Sequence, residues 1–311
     1  MPARARRGPD VAVSEELFAP VSQDIELCYQ TYGAPDDEPM LLVMGLGGPM
    51  TWWDPELCEV LADRGFFVIR FDNRDTGRSS RSPGRVTRSM LVRAFAGRRV
   101  RPPYTVDDLA GDAFGLLDHL GLDSAHLVGV SMGGMIAQTM AITQPRRVRS
   151  LASIMSTTGK RSVGWQHPTL LPSLLAARGP SREEYVESSA AFSKLIGSPA
   201  YPEGRDRVVA RAGETFDRGI SRSGVMRQML AVLAQTNRGA RLRALSVPTV
   251  VIHGLADKMV HPSGGRATAA AIPGAELLLI DGMGHDLPPA LFSTYADAIE
   301  RTAREGRAAW R

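Results

Sequence analysis

The stretch Gly129-Val130-Ser131-Met132-Gly133-Gly134 decides the fold of this chain. The apolar run His126–Val130 leads into it and predicts a buried strand, and the pattern Met132–Gln144 behind it predicts a helix that stops at Pro145. A serine on so sharp a strand-to-helix turn takes a strained backbone, and side chains two positions to either side would collide. The motif has glycine at both positions, so the sequence predicts that Ser131 is a nucleophile.

Short apolar runs alternate with helical patterns on both sides of this motif. This succession of strand, helix and strand predicts a mostly parallel sheet with helices on both faces, the α/β class. The other runs of strand length are Ile25–Tyr32, Met40–Met44, Phe66–Phe71, Val148–Met155, Thr249–His253 and Glu276–Ile280.

The alternation is interrupted between residues 157 and 244. Four helical patterns fill this region: Thr169–Ala177, Ser181–Ile196, Arg205–Arg218 and Ser221–Gln235. We therefore expect an α/β core of residues 21–156 and 245–311 with an inserted helical cap, residues 157–244, called the cap segment below. We expect residues 1–20 to be a partly disordered lead-in without a secretory signal.

A serine nucleophile requires a base, and the loops after the last two strands offer two histidines. His285 lies in the glycine-bearing loop after Glu276–Ile280 and is the predicted base. His261, after the preceding strand, is the competing candidate. The other four histidines fall within predicted strands and helices or in the cap segment, where a structural role is expected.

An orienting carboxylate must hold the base. Asp257 follows the penultimate strand by a short loop and is the predicted acid. Asp72 and Asp75 also end a strand, but arginines surround them, so we expect a salt bridge that locks their loop, with Arg74 or Arg78 as the partner of Asp75.

Two backbone N–H groups are expected to stabilise an oxyanion. The run Gly45-Leu46-Gly47-Gly48 follows the strand Met40–Met44, and its glycines allow close approach to a substrate. The predicted donors are the N–H groups of Leu46 and of Met132, the residue after Ser131.

These segments together resemble the α/β-hydrolase superfamily. They are Met44–Gly48, Asp72–Ser79, Gly129–Gly134, Asp257 and Gly284-His285. The resemblance covers residues 22–300 and is greatest to the actinobacterial branch that contains aclacinomycin methylesterase and related lipases and esterases. It implies a mixed eight-stranded sheet, a helical cap after the sixth strand, and ester hydrolysis without a cofactor. Met44 stands where many relatives have histidine, which should not abolish an oxyanion hole built from backbone N–H groups.

Composition excludes several other classes of protein. The chain has 311 residues, 43% of them hydrophobic, and no apolar run approaches the ~20 residues of a membrane helix. Its net charge is +4, and the one local basic cluster, Arg93 to Arg101, is interpreted as a solvated loop and not as a nucleic-acid site. Cys28 and Cys58 lie far apart, so neither a metal site nor a disulfide is expected, and a cytoplasmic location is predicted.

The predicted function is hydrolysis of a carboxylic ester of a small, apolar molecule through an acyl-enzyme. Lactonase, thioesterase, cofactor-free haloperoxidase and a non-enzymatic receptor remain alternatives, and the oligomeric state stays open. Gly47, Trp52, Trp53 and Met226 are candidate substrate contacts. Five apolar residues of the cap segment recur at helical spacing, and a core role is expected for most of them: Phe192, Phe216, Met226, Met229 and Leu233.

Overall fold

A computed structural model of the protein describes residues 11–170 and 181–309. Its centre is one eight-stranded sheet with the strand order β1-β2-β4-β3-β5-β6-β7-β8. β1 and β2 run antiparallel to their neighbours and the remaining strands are parallel, which confirms the predicted fold class. The strands are β1 (Leu17–Ser22), β2 (Ile25–Tyr32), β3 (Glu38–Val43), β4 (Phe66–Phe71), β5 (Ala125–Val130), β6 (Val148–Ile154), β7 (Thr249–Gly254) and β8 (Glu276–Ile280).

Helices cover both faces of the sheet, because successive residues of a buried strand point to opposite sides. The helices are α1 (Pro55–Asp63), α2 (Arg88–Phe95), α3 (Val106–His119), α4 (Met132–Thr143), α5 (Arg182–Ile196), α6 (Arg205–Asp217), α7 (Arg222–Ala234), α8 (Gly239–Leu242), α9 (Ser263–Ala271) and α10 (Phe292–Ala309). Leu41 and Val43 of β3 pack in one core cluster with residues of α3 and α4, whereas Met40 and Leu42 pack in a second with residues of α1 and α10.

Three of these strands and helices have no counterpart in the predicted set: β1, α2 and the short α8. β1 lies partly within residues 1–20, where a lead-in was expected. It is an edge strand with exposed Leu17 and Phe18, so it lacks the buried apolar pattern that reveals the inner strands. α2 overlaps the start of the basic cluster Arg93 to Arg101 that we interpreted as a loop, and Arg98, Arg99 and Arg101 follow its end. The predicted helix Thr169–Ala177 falls mostly outside the described residues.

Buried ion pairs join the cap segment to the loop after β4. Arg218, at the end of α6, donates a hydrogen bond of 2.7 Å to Asp72. Arg227 of α7 donates two to Asp75, at 2.8 and 2.6 Å. The hydroxyl of Tyr104 adds a third at 2.7 Å. The loop after β4 is thus fixed by the cap segment and not only by its own residues.

The expected partners of Asp75 were therefore wrong. Arg74 pairs with Asp112 and Arg78 with Glu16. Arg227 takes their place because α7 packs so closely on this loop that a Cβ atom on its Gly224 would lie 2.6 Å from the carbonyl oxygen of Asp75. Sequence proximity to an arginine did not identify the partner, since the contact joins residues 152 positions apart.

We predict that Asp75→Asn lowers the unfolding free energy by about 3 kcal/mol or more, because it leaves Arg227 buried without its counter-charge. Burial raises the pKa of Asp75, but the hydrogen bonds from Arg227, Tyr104 and the Ser82 N–H outweigh it, and the pKa lies below its usual value. Because a lowered pKa stabilises the fold only while the carboxylate is charged, the difference should shrink below about pH 4.

Denaturant unfolding at pH 7 and at acid pH measures this effect. The matched control is Asp217→Asn, which disrupts the exposed Arg182–Asp217 pair and should leave stability nearly unchanged. Equal stability losses in the two variants would contradict the prediction.

Candidate active site

Ser131 occupies the turn between β5 and α4 with a left-handed backbone, φ 56° and ψ −117°. Its N–H donates to the carbonyl oxygen of Ile154 on β6 at 2.9 Å, which fixes the turn to the sheet. The flanking glycines are required by space. A Cβ atom on Gly133 would lie 1.9 Å from the carbonyl oxygen of Val43, and one on Gly129 would lie 2.3 Å from the carbonyl oxygen of Gly133.

Asp257 and His285 form a short hydrogen bond, with 2.7 Å between Oδ2 and Nδ1. The other carboxylate oxygen, Oδ1, accepts the N–H groups of Met259 and Val260, both at 2.8 Å. Burial would raise the pKa of Asp257, but its interactions with His285 and with His253 lower it below the usual value. The carboxylate is therefore ionised and held in one orientation at neutral pH.

Residues at the end of α5 hold the histidine loop. The N–H of His285 donates to the carbonyl oxygen of Ile196 at 2.7 Å, and the N–H of Gly284 donates to the hydroxyl of Ser198 at 2.8 Å. The side chain of Ser198 in turn bonds Asp286. His285 and Ser131 line the same cavity, so the structure brings the three predicted residues to one place.

The two other histidines near the strand ends have structural surroundings. His261 stacks on Trp165 with 4.2 Å between ring centroids, and its Nδ1 bonds the hydroxyl of Ser263. His253 is fully buried behind Asp257, and its Nε2 lies 2.7 Å from the carbonyl oxygen of Val260. Among the described residues, neither of these histidines lines the cavity that contains Ser131, whereas His285 lines it and bonds Asp257.

The loop after β3 lies directly against Ser131. A Cβ atom on Gly45 would lie 3.2 Å from the Cβ of Ser131 and 3.8 Å from its Oγ. Leu46 and Met132 both line the cavity, and their N–H groups have no acceptor in the part of the chain that the structure describes. Both N–H groups are thus available to a substrate oxygen.

Gln228 of α7 is a residue that sequence reasoning missed. It is fully buried, and its Oε1 accepts the N–H of Gly47 at 2.8 Å. Its Nε2 donates to the carbonyl oxygen of Arg74 and to the hydroxyl of Thr76, both at 2.9 Å. One side chain of the cap segment therefore joins the loop after β3 to the loop after β4. A lone glutamine within a helical pattern gives no signal of this role.

Three of the four candidate substrate contacts line the cavity: Gly47, Trp52 and Met226. Trp53 does not, and its selection was wrong. Its side chain is 0% exposed and packs in the core cluster with α1, whereas Trp52 is 37% exposed. Trp52 is held at the cavity wall by a hydrogen bond of 2.9 Å from its indole N–H to the hydroxyl of Thr215.

The apolar residues of the cap segment also differ from expectation. We expected a core role for most of them, but all five line the cavity: Phe192, Phe216, Met226, Met229 and Leu233. The helical spacing that predicts a buried face is the same whether that face covers a core or a cavity, so the pattern could not separate the two. The cavity measures about 2200 Å³.

Every helix within residues 11–170 and 181–309 falls short of the length and apolar character that crossing a membrane requires. In the same residues, His, Cys, Asp and Glu side chains form no group of three that could hold a metal ion.

The fold and this arrangement of strand-end residues define a class of protein. A family model described as the alpha/beta hydrolase fold matches residues 38–288. The chain belongs to this family, as the sequence motifs predicted.

Similar proteins include two methylesterases of actinobacteria. The chain is 31% identical to rhodomycin D methylesterase DnrP of Streptomyces peucetius, with 89% of this chain and 95% of that protein covered. It is 32% identical to rhodomycin D methylesterase DauP of Streptomyces sp. strain C5, with 89% and 94% covered. Among solved structures, a hydrolase from Pseudomonas aeruginosa PA01 has a TM-score of 0.69 and 26% identity, with 94% of this chain and 97% of that chain covered.

Proposed function

We propose that this protein is a serine esterase in which Ser131, His285 and Asp257 cleave a carboxylic ester through an acyl-enzyme. The observation that carries the proposal is the 2.7 Å hydrogen bond between Asp257 and His285 at the cavity that also contains Ser131. Carboxylic ester hydrolysis as the reaction class agrees with relatives named methylesterase and 3-oxoadipate enol-lactonase.

The proton path follows from the hydrogen bonds of the imidazole. Asp257 accepts the Nδ1–H of His285, which leaves Nε2 as the base. Nε2 takes the proton of the Ser131 hydroxyl as Oγ attacks the ester carbonyl, and then gives it to the departing alkoxide. Water, activated by the same nitrogen, hydrolyses the acyl-enzyme and releases the acid.

The oxyanion of each tetrahedral intermediate would accept hydrogen bonds from the N–H groups of Leu46 and Met132. Met132 is the first residue of α4, so its N–H also carries the positive end of the helix dipole. Gly47 lies next to Leu46, but its own N–H is already bonded to Gln228. Gln228 thereby determines which N–H of this loop faces the substrate.

We further propose a bulky, mainly apolar substrate and a cytoplasmic enzyme. The cavity of about 2200 Å³ exceeds the ~300–1,000 Å³ of an ordinary small-molecule site, and aromatic and methionine side chains form much of its wall. Cys28 and Cys58 are free and buried, and burial raises the pKa of each thiol to about 12, as suits a reducing compartment. In this proposal residues 157–244 act as the substrate-covering cap of an α/β core.

Ser131→Ala tests the nucleophile. The variant should keep its fold, because alanine fits the space of serine, but kcat should fall by about 10⁴-fold or more. The assay is hydrolysis of a short-chain p-nitrophenyl ester, and wild type should turn over many equivalents, which a receptor that only binds the ester would not do. A serine-directed phosphonate should label wild type and not the variant. Labelling of both proteins would exclude Ser131 as the nucleophile.

Asp257→Asn tests the acid–base pair. The amide cannot stabilise an imidazolium and can favour the other histidine tautomer, so kcat should fall by about 10²–10⁴-fold. His285→Ala should be at least as damaging, whereas the control His261→Ala should retain most of its kcat. An active His285→Ala variant beside an inactive His261→Ala variant would reverse the assignment of the base.

Gln228→Leu tests the support of the oxyanion loop. The change keeps the side-chain size but leaves the Gly47 N–H without its acceptor, so the loop should shift and kcat should fall by about tenfold or more, with a smaller change in KM. Met226→Leu, on the same helix and in the cavity wall, is the control and should change mainly KM. Unchanged kcat in Gln228→Leu would show that the loop does not need this contact.

A further inference from the structure

The net positive charge of this protein comes from one short stretch of its sequence. Residues 76–106 contain eight arginines and neither Asp nor Glu, which leaves 29 basic and 33 acidic residues in the rest of the chain. Two of these arginines have acceptors: Arg78 bonds Glu16, and Arg81 bonds two carbonyl oxygens. The side chains of the other six have no acceptor among the described residues: Arg85, Arg88, Arg93, Arg98, Arg99 and Arg101.

The same stretch exposes two large apolar side chains on helix α2. Val92 is 67% exposed and Phe95 is 60% exposed. The opposite side of α2 is anchored, because Ala94 is buried in a small apolar cluster with Leu230 of α7. Arg161 donates to the carbonyl oxygens of Ala94 and Phe95 and so closes the end of the helix. α2 is therefore a fixed helix that presents valine and phenylalanine among arginines.

This surface adjoins the cavity of the candidate active site. Phe95 and Arg88 belong to the cavity wall although both are exposed, so the cavity meets the outside of the protein beside α2. An apolar substrate that partitions into a bilayer would enter here with little exposure to water.

We propose that α2 and the six free arginines, here called the α2 patch, dock the protein on an anionic lipid bilayer. Arginine side chains attract acidic headgroups, and exposed Val92 and Phe95 insert between them at the level where amphipathic helices bind. Nucleic acid would satisfy the charge, and the base of a single strand can stack on Phe95, but neither accounts for the exposed Val92 beside it. The chemistry of the patch thus favours a lipid surface.

Vesicle co-sedimentation with the full-length protein tests the proposal. Vesicles containing phosphatidylglycerol should bind the protein in 50 mM NaCl and release most of it in 500 mM NaCl, and vesicles of phosphatidylcholine alone should bind it weakly. Arg98→Glu/Arg99→Glu should weaken binding by about 30-fold or more. The control Arg241→Glu/Arg243→Glu makes the same change in net charge at exposed arginines outside the patch and should weaken binding far less.

Two further measurements complete the test. Phe95→Ser should weaken vesicle binding by about tenfold or more without any change in net charge. The Arg98→Glu/Arg99→Glu variant should hydrolyse a water-soluble p-nitrophenyl ester at the wild-type rate, because neither arginine lines the cavity. Equal losses of binding in the two arginine pairs would overturn the proposal. So would failure to bind acidic vesicles in 50 mM NaCl. Tight binding of a 20-nucleotide DNA strand in that case would assign the patch to nucleic acid instead.

Discussion

The site depends on the left-handed backbone of Ser131. An L-residue reaches φ 56° only when its surroundings hold it there, and here the hydrogen bond to Ile154 and the close packing of α4 against β3 do so. Because Gly133 has no Cβ, the start of α4 contacts the carbonyl of Val43 at the end of β3. The same approach places the loop after β3 against the serine. One backbone constraint thus aligns the proposed nucleophile with both proposed oxyanion donors.

The cap segment, whose residues line the cavity, also contributes to this alignment. Ile196 and Ser198 bond the backbone of the histidine loop, and Gln228 bonds the backbone of the loop after β3. These contacts come from the end of α5 and from α7, and they reach two different loops of the cavity wall. A displacement of the cap segment would therefore disturb the proposed base and the proposed oxyanion donors together. Substrate binding and the reaction thus both depend on the position of this segment.

Patterns of neighbouring residues predicted the strands, helices and candidate site residues whose positions depend on residues close to them in the sequence. Ser131, Leu46 and Asp257 could be selected because each lies within three residues of the end of a buried strand. His285 could be selected because it lies in the glycine-bearing loop after the last strand. The same reasoning could not separate Trp52 from Trp53. A short helical turn, Met50–Trp52, places the indole of Trp52 at the cavity, whereas that of Trp53 is buried.

Partners distant in the chain were beyond the same reasoning. Arg227 and Gln228 act on residues that lie about 150 positions or more away along the chain, and no local period encodes such contacts. β1 was missed for a related reason, because its pairing with β2 makes it a strand, whereas only Ala19 of its six residues is buried.

The distribution of partners among three carboxylates explains why only one of them suits acid–base chemistry. Asp72 and Asp75 end β4 close to the cavity, but each is paired with a buried arginine, whose charge is permanent. Such a pair adds little net stability over an apolar contact, yet it fixes one position of the cap segment on the loop. Asp257 instead accepts two backbone N–H groups and the Nδ1–H of His285, whose other ring nitrogen is the proposed base. The arginines of the cap segment thus give Asp72 and Asp75 a structural role, whereas Asp257 is left to orient the proposed base.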